Sequence, residues 1–233
     1  MDAVIAQTPS TIHVLPHTQY NAPDALTPSS VLPSPLDQFH LWFAEAVAHP
    51  VAEPEAMSLS TATPAGLPSA RIVLFKALDP RGFLFYTNYT SRKSQELTAN
   101  PNCALVFYWR EMARSVRVVG RAERVSREES QAYFTSRPAG SRLGAWASRQ
   151  SSVVAEGEVH ARLEKVRARF AASEDAPDPE IPLPEFWGGW RVVPTEIEFW
   201  SGKPSRLHDR VRYTRQTPAP DSEAAWTIER LAP

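Results

Sequence analysis

Five short runs rich in β-branched and aromatic residues follow one another between residues 57 and 125: Met57 to Thr63, Ala70 to Leu78, Phe83 to Asn88, Cys103 to Trp109 and Val116 to Val125. Parallel neighbours need a crossover of roughly a dozen residues. Only the gap that starts near Ser91 is long enough to hold a helix, so most of these runs can pair only antiparallel. Asp79-Pro80-Arg81-Gly82 supplies a tight turn between the second and third. Ile197 to Trp200, Val211 to Thr214 and Trp226 to Leu231 bring the total to about eight strands. Short strands with a few helices and no βαβ rhythm predict a mainly β fold with helices (α+β), an antiparallel barrel decorated by helices.

The helices have their own signals. Phe39, Trp42, Phe43 and Val47 fall at helical spacing behind Ser34-Pro35. A short helix starts near Ser91 and stops at Asn100-Pro101. Another opens on Ser126 and Glu129, spaced as a capping box, and ends at Arg137-Pro138. Glu156 to Ala172 carries Val159, Leu163, Val166 and Phe170 on one face. Pro177 to Pro184 reads as a connector and Gln216 to Ala224 as a polar loop. Residues 1–35, with Pro9, Pro16, Pro23, Pro28, Pro33 and Pro35 among Ser, Thr and Ala, read as a disordered tail. Residues 36–233 then form a single domain.

Twenty-five basic and 26 acidic residues nearly cancel, so no overall field draws the chain to nucleic acid, and any anion site must be local. The single cysteine, Cys103, permits no intrachain disulfide. No apolar run reaches the length of a membrane span, and the N-terminus lacks the order of a secretory signal. The expectation is a cytoplasmic protein with no membrane and no nucleic-acid partner. Six histidines without metal-ligand spacing predict no metal, and neither a GxSxG elbow nor a Gly-rich phosphate loop is present. The arginines from Arg110 to Arg127 alternate with Glu111 and Glu123, as on a solvated strand face.

Four groups of residues carry possible chemistry. On Arg71 to Lys76, alternation puts Arg71, Val73 and Phe75 on one face and Ile72, Leu74 and Lys76 on the other; this is either a buried strand with solvated ends or the wall of an anion site. Tyr86-Thr87 leads to Ser91-Arg92-Lys93, which combines hydroxyls, free N–H groups at a helix start and two cations. That is either a plain cap or a phosphate site. Tyr133 and Arg137 share a helix face, and Ser141 follows the break at Pro138, a set that suits a second phosphate but is also common on surfaces. Arg206, His208 and Arg210, near Trp200, would share a side if the segment is extended. Adjacent cations there invite an anion or an electron-rich ring, unless they form a solvated edge.

With RIVLFK (71–76), FYTN (85–88), SRK (91–93), YFTSRP (133–138), GAWASRQS (144–151), FWGG (186–189), IEFW (197–200), RLHDR (206–210) and a terminal RLAP in order, the chain resembles the pyridoxine/pyridoxamine 5'-phosphate oxidases from about Leu36 to Pro233. The resemblance implies an FMN-binding split β-barrel, dimeric, with each FMN at the interface between two copies. It implies oxidation of phosphorylated B6 vitamers by hydride transfer to FMN, with O2 as the final acceptor. It assigns FMN to Arg71, Ile72, Val73, Leu74, Lys76, Tyr86, Thr87, Ser91, Arg92, Lys93, Ser115, Gln150, Ser151, Trp200 and Arg210. The substrate phosphate goes to Lys76, Tyr133, Arg137 and Ser141, and the catalytic positions over the substrate ring to Arg206 and His208. Ser115 stands where the family commonly has a flavin-contacting Gln. Related flavin split barrels that act on other substrates, or that bind flavin or pyridoxal phosphate without turnover, are the alternatives.

Overall fold

The computed structural model describes residues 19–170, 180–216 and 225–233, together with the backbone of two short paired strands, β1 (Ile5–Thr8) and β2 (Thr11–Val14). Residues 177–179 of the expected connector, 217–224 of the expected loop, and 1–4, 9–10 and 15–18 of the expected tail lie outside the described residues.

The remaining strands are β3 (Ala56–Ala62), β4 (Pro68–Leu74), β5 (Ala77–Asp79), β6 (Gly82–Asn88), β7 (Asn102–Trp109), β8 (Arg114–Arg124), β9 (Trp187–Ser201), β10 (Asp209–Arg215) and β11 (Trp226–Leu231). They form one antiparallel sheet in the order β11-β10-β9-β8-β7-β3-β4, with β6 pairing both β9 and β5. The helices are α1 (Pro35–Ala48), α2 (Arg92–Ala99), α3 (Arg127–Ser136), α4 (Ala139–Ala147) and α5 (Glu158–Arg169). The expected antiparallel α+β barrel is what the chain builds.

β9 organises this sheet. It pairs with β8 from Trp190 to Ser201, but on its other edge it pairs first with β6, from Trp187 to Val192, and then with β10, from Glu196 to Ser201. The handover falls at Pro194, which has no N–H to give a ladder, and the register against β8 shifts there, between Val119 and Gly120. One strand thus belongs to two halves of a split barrel. Periodicity signals only its last four residues, because the first half is buried on both faces and shows no alternation.

The barrel is closed by α1. Ser34 caps it, accepting from the Asp37 amide at 3.3 Å, and Phe39, Trp42 and Ala46 face inward. Phe39 sits within 6.2 Å, centroid to centroid, of Phe43, Phe75, Phe83, Phe107 and Trp109. Val47, expected on the same stripe, is 60% exposed, so the buried face is narrower than the spacing predicts. A second apolar cluster, Phe134, Leu143, Ile181, Leu183 and Trp187, lies under α3 and α4, with Leu163 and Val166 of α5 against it. Helix α4 was not read from the sequence as a helix; it starts directly after Pro138, which ends α3.

The tail boundary at residue 35 needs correction. Residues 19–34 lie on the barrel as a strap. Ala22 and Leu26 are buried, the Ala22 amide donates to Gly202 O at 3.0 Å, and the Leu26 amide donates to Asp209 Oδ2 at 3.2 Å. Lys203 Nζ donates to the Ala22 and Asp24 carbonyls, each at 2.6 Å, and Tyr213 OH donates to Leu32 O at 2.6 Å. The strap needs no apolar period because side chains of the barrel satisfy its backbone.

The aromatic core sets a test of the fold. Phe39→Ala is expected to cost about 3–5 kcal/mol in urea unfolding, through lost burial and the cavity left behind. Val47→Ala, at an exposed position of the same helix, should change stability by less than about 0.5 kcal/mol.

Candidate functional site

Three strands and the start of α2 converge on one polar cradle. Thr87, at the end of β6, and Lys93, in the first turn of α2, are both buried, and both donate to Gln150 Oε1, at 2.9 and 3.0 Å. Lys93 Nζ also lies 3.3 Å from Thr87 Oγ1. The Arg92 amide donates to Ser151 Oγ at 3.2 Å, so the segment after α4 closes over the helix start. Arg71 reaches the same place from β4, donating to Thr61 Oγ1 and Ser69 Oγ, each at 2.5 Å. Burial, and then the Arg71 charge, pull the Lys93 ammonium down to about 8.

Ser91 Oγ is the diagnostic atom. It is wholly buried at the N-cap of α2, makes no capping bond, and has no hydrogen-bond partner among the described residues. A buried hydroxyl costs free energy unless something accepts or donates there. Beside it are helix amides, Arg92 and Lys93, the donor set that a phosphate group takes. The residues present therefore fit the phosphate of a phosphorylated cofactor.

A cavity of about 340 Å³ adjoins this cradle, lined by Tyr86, Thr87, Arg137, Ser141, Gln150 and Trp187 among others. Tyr86 stacks on Tyr133 at 3.9 Å and on Trp187 at 5.7 Å, and the Arg137 guanidinium lies 4.8 Å over the Trp187 ring. Gly189 permits this stack, since a Cβ there would come within 2.6 Å of Val125 and 2.8 Å of the Tyr86 ring. Arg137 Nη1 is buried with no hydrogen-bond partner among the described residues. Burial pulls the Arg137 pKa down and pushes the Tyr133 phenol up. An unpaired guanidinium nitrogen beside Ser141 is a second place for an anion.

The third group is at the far end of β9. The Trp200 and His208 rings are 4.7 Å apart, and Tyr20 of the strap packs edge-on against both, at 5.2 and 5.9 Å. Gly202 makes room for it, as a Cβ there would lie 2.6 Å from Tyr20. The Lys203 amide donates to His208 Nδ1 at 3.0 Å, which in the neutral ring puts the proton on Nε2. Arg210 is held by Glu198 at 2.7 Å and donates to Ala232 O at 2.8 Å. Across the sheet, Tyr108, Ser115, Trp200 and Arg210 stand in one row of paired positions on β7, β8, β9 and β10.

The expected alternation of Arg206, His208 and Arg210 does not hold. Pro204–Arg206 is a turn with Ser205 and Arg206 both in the left-handed region, at φ 56° and 61°, and β10 begins only at Asp209. Arg206 is exposed on this turn. Leu207 beside it is 68% exposed. Asp209 is buried and forms a structural ion pair with Arg230 at 2.6 Å.

Within one chain the structure thus brings together Arg71, Thr87, Ser91, Arg92, Lys93, Gln150 and Ser151, and beside them Tyr86, Tyr133, Arg137 and Ser141. Ser115, Trp200, His208 and Arg210 are a separate group. Trp187 and Trp200 mark the two groups, and Trp200 lies thirteen positions further along β9, roughly 40 Å of extended strand. Lys76 joins neither group; it is exposed just beyond β4, on the side of Ile72 and Leu74, which are exposed too. Sequence reasoning missed Tyr20, which sits in a stretch without periodicity, and Glu96, which the Arg92/Glu96 spacing of four could have revealed.

Two family models match the chain: "Pyridoxamine 5'-phosphate oxidase" over residues 43–172 and "Pyridoxine 5'-phosphate oxidase C-terminal dimerisation region" over residues 187–233. The pyridoxine/pyridoxamine 5'-phosphate oxidase of Bordetella petrii is 54% identical over 208 residues, covering 89% of this chain and 93% of that one. The protein of the same description from Burkholderia thailandensis is 51% identical, covering 90% and 94%. Among solved structures, PhzG from Burkholderia lata 383, in complex with tetrahydrophenazine-1-carboxylic acid, superposes with a TM-score of 0.80 at 30% identity, covering 91% of this chain and all of that one. A pyridoxamine 5'-phosphate oxidase-related, FMN binding protein from Nostoc punctiforme shares the fold, with a TM-score of 0.66 at 17% identity over 86% of this chain and 98% of that one.

The lowered Lys93 pKa makes anion binding at the cradle pH-dependent. Below about 8 the free site carries a charged Lys93. A bound phosphate dianion favours that form, so binding takes up a proton above pH 8 and affinity falls as pH rises, by up to about tenfold per unit. Calorimetric titration with a phosphate monoester from pH 7.5 to 9.5 should show this fall, and Lys93→Met should flatten it.

Proposed function

The chain belongs to the pyridoxine/pyridoxamine 5'-phosphate oxidase family, and from that premise we propose that it is an FMN-dependent oxidase that makes pyridoxal 5'-phosphate in vitamin B6 salvage. Pyridoxine 5'-phosphate and O2 would give pyridoxal 5'-phosphate and hydrogen peroxide; pyridoxamine 5'-phosphate would consume water as well and release ammonia. The observation that carries the reading is the pair of adjoining anion sites, each with a buried donor that lacks a partner, one at Ser91 and one at Arg137. A phosphorylated cofactor beside a phosphorylated substrate needs two such sites.

Bound FMN supplies the two-electron acceptor that no side chain of the chain offers. Ser91, Arg92 and Lys93 hold its phosphate, with Arg71, Tyr86, Thr87, Gln150 and Ser151 around them, and Ile72, Val73, Leu74 and Lys76 bordering the flavin. Tyr133, Arg137 and Ser141, with Lys76, hold the substrate phosphate, and that remote binding energy orients the reacting carbon. Trp200 and Arg210, with Ser115 in the same row, contact the flavin, while Arg206 and His208 cover the substrate ring and bias its charge.

The roughly 40 Å of β9 between the two groups gives this assignment a condition: the second group must come from another copy of the chain. The proposed enzyme is therefore a homodimer with FMN at the interface, in agreement with the description of the matched C-terminal region. The exposed Ile72 and Leu74 are apolar surface that such an interface would cover.

A second reading keeps the fold and changes the substrate, and the 0.80 superposition on PhzG favours it. A tricyclic carboxylic acid has no phosphate for Arg137 and Ser141 to hold, so a phosphate-dependent substrate preference separates the readings.

The purified protein should be yellow, sediment as a dimer, and release peroxide with pyridoxine 5'-phosphate; a colourless protein that does not take up added FMN sinks the proposal. Arg137→Ala should raise KM for the phosphorylated substrate about 10- to 100-fold with FMN absorbance intact, as expected for the loss of a charged hydrogen bond. His208→Ala should lower turnover without abolishing it. Complete loss with normal FMN and substrate binding would make His208 an essential base instead.

A further inference from the structure

Glu96 has no place in the site as drawn so far, yet it touches more of the cradle than any other residue. It lies on α2, one turn after Arg92, and is 6% exposed. Its two oxygens are divided between two arginines. Oε1 accepts from Arg92 Nε at 2.9 Å, while Oε2 accepts from Arg71 Nη2 at 3.3 Å, Thr61 Oγ1 at 2.5 Å and Ser69 Oγ at 2.6 Å. Thr61 and Ser69 in turn accept from Arg71, so β3, β4 and α2 are tied through a single carboxylate.

Burial alone would raise the Glu96 carboxyl, but hydrogen bonds from Ser69, Thr61, Arg92 and Arg71 outweigh it and hold the group down at about 2. It is ionised throughout the range in which the fold is expected to persist. Three cations, Arg71, Arg92 and Lys93, then face one fixed anion, leaving two net positive charges, the complement of a phosphate monoester dianion. Without Glu96 the empty cradle would hold three mutually repelling cations.

We infer that Glu96 is a positioning residue of the cofactor-phosphate subsite: by gripping Arg71 and Arg92 from opposite oxygens, it fixes their spacing and sets the preference for FMN over riboflavin. The inference rests on the proposed reading of the cradle as the FMN phosphate site. Glu96→Gln is the direct probe, because an amide must turn its NH2 either to Arg92 or to the Arg71, Thr61 and Ser69 donors, and one cation is released in either case.

The experiment removes FMN from the purified protein and titrates FMN and riboflavin separately by flavin fluorescence. In Glu96→Gln the FMN affinity should fall about tenfold or more, the scale of a lost charged hydrogen bond, while riboflavin affinity stays within about twofold. A carboxylate that merely braces α2 against the sheet would weaken both flavins alike, and that result, or no change in either, overturns the inference. The ratio of the two affinities is read from folded protein alone. If Glu96→Gln yields none, Thr61→Val, which removes the hydroxyl shared by Glu96 and Arg71, is judged by the same ratio.

Arg92→Ala separates the two levels of the argument. If it leaves the FMN-to-riboflavin ratio unchanged, the phosphate reading itself fails and takes the inference with it. If it collapses the ratio while Glu96→Gln and Thr61→Val do not, only the role of Glu96 is refuted. The double variant Glu96→Gln/Arg92→Ala should lose less than the sum of the singles, since one residue acts through the other.

Discussion

The change of partner along β9 is the constraint from which the rest of the architecture follows. A single 15-residue strand serves β6 with its first half and β10 with its second. Pro194 has no N–H for either ladder, which makes the midpoint the place where one partner can leave and another begin. Everything upstream of that point, including Trp187 and the two close-packed glycines after it, belongs to the anion-binding end. Everything downstream, including Trp200 and the turn carrying Arg206 and His208, belongs to the other.

That separation explains how charges are distributed. At one end, the buried Ser91 Oγ and Arg137 Nη1 are left without partners among the described residues. At the other, three arginines are paired within the chain: Glu198 holds both Arg117 and Arg210, each at 2.7 Å, and Asp209 holds Arg230 at 2.6 Å. The first end leaves buried donors facing a cavity, while the second offers ring faces and a positioned imidazole.

Much of the fold was legible because half-buried strands and capped helices carry local signals. The alternation in β3 and β8, the capping box at Ser126 and the turn at Asp79 to Gly82 each follow from residues within one element. The first half of β9 was not legible, because burial on both faces erases alternation, and helix α4 was hidden behind the proline that ends α3. The site divides in the same way. Ser91 to Lys93 lie at the start of α2 and Tyr133 to Arg137 at the end of α3, so local spacing brought them forward, although Arg137 itself is the extended residue that ends its helix. The Arg206 to Arg210 segment misled, because two left-handed residues turn a presumed strand into a corner. Tyr20 left no trace, since its position depends on a loop 182 residues away in sequence, at Gly202.

The strap that carries Tyr20 is attached in an unusual way. Lys203 binds the carbonyl oxygens of Ala22 and Asp24, Gly202 takes the Ala22 amide, and Tyr213 reaches Leu32 O. These bonds are made to main-chain atoms, which every residue type supplies. The path of the strap is thus encoded largely in the barrel, and fewer of its own side chains, among them Gln19, Tyr20 and Ser34, take part in holding it. Among relatives, conservation of Lys203, Gly202 and Tyr213 would therefore be a better guide to the presence of such a strap than any similarity in the strap itself.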